Sequence, residues 1–155
     1  MPDDDALTLF LCGDLMLGRA IDQLLPHPSD SVLYEPVVRD ARAYLRLAAE
    51  RNGVVPAPVD WRYVWGDALD ELARRRPDAR IVNLETSVTR HDVPWPGKQI
   101  QYRMHPGNVP VLDAAAIDCC VLANNHVLMT GGWTTSFRGE IELGEVAVRE
   151  AVTNG

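Results

Sequence analysis

Lysine is nearly missing from this chain: Lys98 stands alone beside fourteen arginines in 155 residues. Basic residues as a whole are outnumbered, 15 against 22 acidic ones, and the formal net charge is −7. A nucleic-acid partner needs a basic face to displace counterions from phosphates, so this balance argues against one. Cysteine is scarce as well. Cys12, Cys119 and Cys120 are an odd set inside apolar runs, which points to reduced, core-filling thiols and not to a disulfide framework. No apolar run approaches the roughly 20 residues that cross a bilayer. The N-terminus reads Met-Pro-Asp-Asp-Asp, acidic where a signal peptide would be basic. The expectation is a cytoplasmic chain with no signal peptide and no membrane segment.

What is present suits a globular domain: 46% hydrophobic and 24% charged residues. Leu7 to Cys12 is a short apolar run stopped by Gly13-Asp14, as in a buried parallel strand. Helical spacing follows from Met16 to Leu25, and again from Pro36 to Arg51, where Asn52-Gly53 ends it. Asp67 is placed to N-cap a third helix, Ala68 to Arg75, with arginines in its last turn. Ala79 to Leu84 reads as a second buried strand, His91 to Gly97 as a loop, and Gln99 to Met104 as an extended piece. A helix is expected around Val109 to Ala115, then a third core strand from Ile117 to Ala123. The order β-α-α-β-α-β predicts an α/β domain with parallel core strands and crossover helices.

All three strands end on a polar group that can bind metal. Asp14 follows the first, Glu85 the second, and Asn125 with His126 the third. Parallel strands bring such ends to one edge, where open α/β sheets hold their ligands. Two carboxylates, an amide oxygen and an imidazole suit a divalent ion of the Mn, Fe or Zn kind. Two ions about 3.5–4 Å apart are the usual clamp for phosphoester hydrolysis. Each residue also has an ordinary structural explanation. Asp14 could cap a helix beginning near Met16, Glu85 could be a solvated turn residue, Asn124 and Asn125 could serve a left-handed turn, and His126 could be a hydrogen-bonded turn histidine. The Gly13 to Gly18 spacing lacks the Lys-[Ser/Thr] of a phosphate-binding loop, which rejects that reading.

Five ordered segments carry a resemblance: Gly13-Asp14-Leu15-Met16-Leu17-Gly18-Arg19, Trp65-Gly66-Asp67, Val82-Asn83-Leu84-Glu85, Lys98 to Pro106, and Leu122 to Leu128. Together they resemble the bacterial CapA family, named for poly-γ-glutamate capsule synthesis and related in fold to metallophosphoesterases. The resemblance implies the N-terminal half of a four-layer α/β/β/α domain, with two divalent ions in the complete family domain. It implies Asp14, Glu85 and Asn125 as metal ligands and His126 as the catalytic residue that stabilises or protonates the leaving oxygen. Arg19 and Arg103 are similar to family arginines near the cleft, where a planar fork could hold an anionic small molecule or polymer.

The family pattern continues after Asn-Asn-His with an Asp and a Gly, but this chain has Met129, and His126 is its last histidine. Codons offer a reason. Met129-Thr130 must be encoded ATG-ACN and Trp133-Thr134 TGG-ACN, so a frame read two bases later forces Asp at both junctions. The intervening glycine codons can then give Asp-Trp-Gly-Val-Asp. The division expected is a family-like domain over residues 1–128 and a divergent, out-of-frame tail over residues 129–155. Such a half-domain is expected to be inactive alone, and its uncovered surface offers a route to self-association. The rival readings are a non-catalytic module that binds an anionic polymer, polyglutamate or polysaccharide, and a gene fragment without function.

Overall fold

A computed structural model describes residues 6–98 and 100–122. In chain order the elements are β1 (Leu9–Leu15), α1 (Ala20–Leu24), α2 (Arg42–Asn52), α3 (Ala68–Arg75), β2 (Ala79–Leu84), β3 (Ser87–Val88), β4 (Arg103–Met104), α4 (Pro110–Ala114) and β5 (Cys119–Val121). Short 3-10 turns cover Tyr63–Trp65 and Pro106–Asn108. The main sheet has the order β1-β2-β5 with both pairings parallel, and β3 pairs with β4 as a separate two-stranded ribbon. This is the expected α/β class with a parallel core sheet.

Side-chain alternation splits the sheet into two unlike faces. Val82 is 0% and Leu84 4% exposed, and Phe10, Cys12 and Cys120 pack beside them. Leu24 of α1, Leu72 of α3 and Val111 of α4 join the same core. Arg80 shares that side of β2, its Nη1 donating to the Ala115 carbonyl at 2.6 Å. Trp65 is locked into the core by its indole N–H, which donates to Val111 O at 2.7 Å. The opposite face bears Leu9, Leu11 and Val121, and Leu11 is 68% exposed. Parallel sheets are ordinarily covered on both faces; among the described residues only one is.

Several boundaries differ from the expectation, for identifiable reasons. The first strand does not stop at Gly13. A bulge between Cys12 and Asp14 lets β1 run on to Leu15. The first helix is confined to five residues, because tertiary contacts hold Leu17 and Gly18 outside it. Leu17 N donates to Thr86 Oγ1 at 2.8 Å, and a Cβ on Gly18 would lie 2.9 Å from the Arg103 carbonyl oxygen. The second helix begins at Arg42 and not at Pro36. An antiparallel bridge between Val32 and Asp40, with Leu33 N donating to Arg39 O, takes up the preceding residues. Asp67 does precede α3, but its side chain makes no capping bond and its backbone is already helical. The expected β5 end at Ala123, and the whole tail over residues 129–155, lie outside the described residues.

Candidate functional site

The exits of β1 and β2 are tied together at the carboxyl edge. Because of the bulge, Asp14 pairs with Asn83, and Asn83 Nδ2 donates to Asp14 Oδ1 at 2.5 Å. One step further on, Glu85 N donates to Leu15 O at 3.2 Å. The buried Thr86 hydroxyl then accepts the Leu17 N–H, so both chains leave the sheet in fixed positions. The Asp14 carboxylate is exposed, while Asn83 and Glu85 are half-buried. Asp14 therefore does not cap a helix, since it lies within β1 and α1 starts only at Ala20.

Asn125 and His126 lie outside the described residues, so the edge as described holds two carboxylates and one amide. Among the described residues no group of three or more His, Cys, Asp or Glu is arranged to hold a metal ion. Asp14 and Glu85 fit part of a hard-ligand site; a complete one needs further donors. The three thiols are free, and burial, then the neighbouring Cys119, raises the Cys120 thiol. A buried thiol of that kind is a poor thiolate ligand.

Arg19 and Arg103 come together at a second place, a cleft beside α1 that both help to line. Arg19 adopts φ 51° and ψ −125°, a backbone conformation strained for any residue with a Cβ. Its side chain is held from several sides. Arg19 Nε donates to Glu35 Oε1 at 2.6 Å, and the guanidinium lies 4.6 Å from the Tyr102 ring centre and 5.6 Å from that of Tyr44. Tyr44 donates its hydroxyl to Glu35 Oε2 at 3.0 Å, and burial, reinforced by that bond, raises the phenol above its usual range. Arg103 Nη1 pairs with Asp92 and donates to His91 O, while Nη2 donates to Asp30 O at 3.1 Å.

Two functional groups escaped the sequence reading. Asn83 sits inside a quoted motif, but its contact with Asp14 depends on the strand register. Asp22 looks like an ordinary polar residue of an amphipathic helix, yet it is 1% exposed. It accepts from Ser29 N at 2.6 Å, His105 N at 3.0 Å and Asn108 Nδ2 at 3.1 Å, joining three segments around the cleft. No single-residue signal marks it; the clue is an aspartate between Ile21 and Leu24 in a short helix.

The sequence pattern described as bacterial capsule synthesis protein PGA_cap matches residues 8–133. The chain belongs to this family. The match takes in Asp14, Arg19, Glu85, Arg103, Asn125 and His126, and leaves residues 134–155 beyond its end. Two curated relatives are each named a probable polyglutamine synthesis accessory protein, from Mycobacterium tuberculosis strains CDC 1551 and H37Rv. Each is 49% identical over 127 residues, covering 82% of this chain and 33% of its own length. The chain thus spans about a third of the relatives it matches. No solved structure matches it. The family's fold is metallophosphoesterase-like, which agrees with the parallel α/β sheet described above.

Proposed function

We propose that this chain carries part of a metal-dependent phosphoesterase-like site in a protein that serves the synthesis of a bacterial polyglutamyl or polyglutaminyl polymer. Asp14, Glu85 and Asn125 would hold the divalent ions, manganese, iron or zinc, and His126 would stabilise or protonate the leaving oxygen. The single observation that supports this reading is the parallel pairing of β1 with β2. It sets Asp14, Asn83 and Glu85 at one carboxyl edge, with the Asp14 carboxylate exposed and oriented by the Asn83 amide.

Bound divalent ions supply Lewis-acid stabilisation of phosphoester oxygens. This chain's own groups supply orientation. Asn83 fixes which Asp14 oxygen is left to a ligand, and the Thr86 and Leu17 tether keeps the two strand ends from separating. The chain spans about a third of the relatives it matches, so low metal affinity and no turnover are expected of it alone, because affinity follows ligand number and geometry.

The test is manganese-dependent hydrolysis of bis(p-nitrophenyl) phosphate by two chains: this one, and an extended one in which the remaining sequence of a 49% identical relative follows Leu128. Turnover is expected from the extended chain alone and is expected to vanish in its Asp14→Ala variant. Undiminished turnover in that variant would sink the reading.

A further inference from the structure

His27 and His105 lie far apart in sequence and meet in the fold. Their rings stack with centres 5.9 Å apart and planes 28° from parallel. Gly107 lies against both, since a Cβ there would sit 2.8 Å from His27 Cγ and 3.0 Å from His105 Nδ1. The buried Asn108 side chain ties the two segments together. It accepts from His27 N at 3.1 Å and donates to His27 O at 2.9 Å and to Asp22 Oδ1 at 3.1 Å. His105 N donates to the same Asp22 oxygen at 3.0 Å.

The His105 ring also caps the 3-10 turn that follows it, Pro106–Asn108, its Nδ1 accepting the Gly107 N–H at 3.0 Å. Ser, Thr, Asp and Asn usually fill this role, with an oxygen. An imidazole nitrogen accepts only while it carries no proton. Imidazole is also the side chain that ordinarily changes charge between about pH 5 and 8. The groups that face His105 are the Asp22 carboxylate, from α1, and the His27 ring, from the segment after it. Asp22 attracts an imidazolium, but its two oxygens already take three N–H donors. A protonated His27 would repel one. On the neighbouring elements, Arg103 of β4 is paired with Asp92, Asp113 of α4 is exposed, and the turn itself carries no charge.

We propose that His105 is a cap that titrates, and that with His27 it forms an acid-sensitive latch between α1 and the turn leading into α4. With a neutral ring the latch is closed: Nδ1 holds the Gly107 N–H, and the two rings stack over Gly107. A proton on Nδ1 sets one N–H against another, so the ring must leave the cap and the Gly107 N–H loses its acceptor. The turn that loosens is the one whose Asn108 joins His27 to Asp22, and Asp22 in turn holds Ser29 N. The change therefore reaches both α1 and the segment after it. It does not depend on the metal site.

The experiment is a pair of NMR titrations of the 155-residue chain, from about pH 8 to about pH 5, reading the His105 ring protons and the Gly107 amide. On acidification the Gly107 amide proton is expected to move upfield with the same midpoint as the His105 ring. Its protection from hydrogen exchange should fall about fivefold or more, the loss expected of a missing cap. In His105→Asn a side-chain oxygen stands where Nδ1 stood, so the Gly107 shift and protection should stay constant over the same range. A Gly107 amide indifferent to pH overturns the proposal, as does a midpoint that follows a group other than His105. The same acid response in His105→Asn overturns it too.

Discussion

Asn83 Nδ2 donates to Asp14 Oδ1 across the β1–β2 pairing at 2.5 Å. The bond exists only because the bulge after Cys12 shifts the register and brings Asp14 opposite Asn83. A backbone irregularity near a ligand edge thus re-aims one carboxylate, a common use of bulges.

Removing the amide should therefore affect binding more than folding. Asn83→Ala is expected to cost about 1 kcal/mol of stability, since its partner is exposed and regains water. In the chain extended with a relative's remaining sequence it should weaken manganese affinity by roughly 10-fold or more, as loss of an orienting partner commonly does. Urea unfolding and metal titration on the same variant check both halves.

Among the described glycines, Gly18 is crowded by a neighbouring backbone, whereas Gly107 is crowded by the His27 and His105 rings. An added Cβ on Gly18 would sit 2.9 Å from Arg103 O and 3.1 Å from Arg103 N, both backbone atoms that cannot swing aside. Gly18→Ala should cost about 1–3 kcal/mol through this overpacking. It should also move Arg103 away from Asp92, seen as altered chemical shifts at both residues.

Asp22 receives two backbone N–H groups and the Asn108 amide in a nearly sealed position. Asp22→Ala would leave those donors without an acceptor, for a loss of about 3 kcal/mol or more. Asp22→Asn keeps one acceptor oxygen and should lose less. Midpoints of urea unfolding, compared at equal slope, decide the order.

Asp40 gives a pH signature. Hydrogen bonds from the Arg42 side chain, then from its backbone N–H, hold the Asp40 carboxyl far below the ordinary aspartate value of 3.8. A depressed folded value means that its contribution is complete above about 3.8 and is lost as the pH falls below it. The group is exposed, so the effect on stability is small. A carboxyl-detected NMR titration should find Asp40 still ionised at pH 3, and half-protonation near 3.8 would refute the assignment.

Much of this was legible in the sequence where local signals agreed with one another. The apolar run at Ala79 to Leu84 and the helical spacing of Ala68 to Arg75 match β2 and α3 at both ends. The reading failed where distant residues overruled local preference. Helical spacing from Met16 was real, but Thr86 and Arg103 capture Leu17 and Gly18 first. Spacing from Pro36 was real too, until the Val32–Asp40 bridge took those residues. Asp14 and Glu85 could be singled out because each follows an apolar run. Asn83 and Asp22 could not, since Asp14 lies 69 residues from the one, His105 and Asn108 lie 83 and 86 residues from the other, and only the register or the packing reveals them.

The central claim is that the β1 and β2 exits form one metal-bearing edge. Its most direct measurement is manganese-dependent phosphodiester hydrolysis by the extended chain, compared with its Asp14→Ala and Glu85→Ala variants. The account predicts that each substitution lowers turnover by about 100-fold or more, while Asp14→Ala costs about the 1 kcal/mol expected of Asn83→Ala, far too little to unfold the domain. Full manganese-dependent turnover in either variant would contradict it.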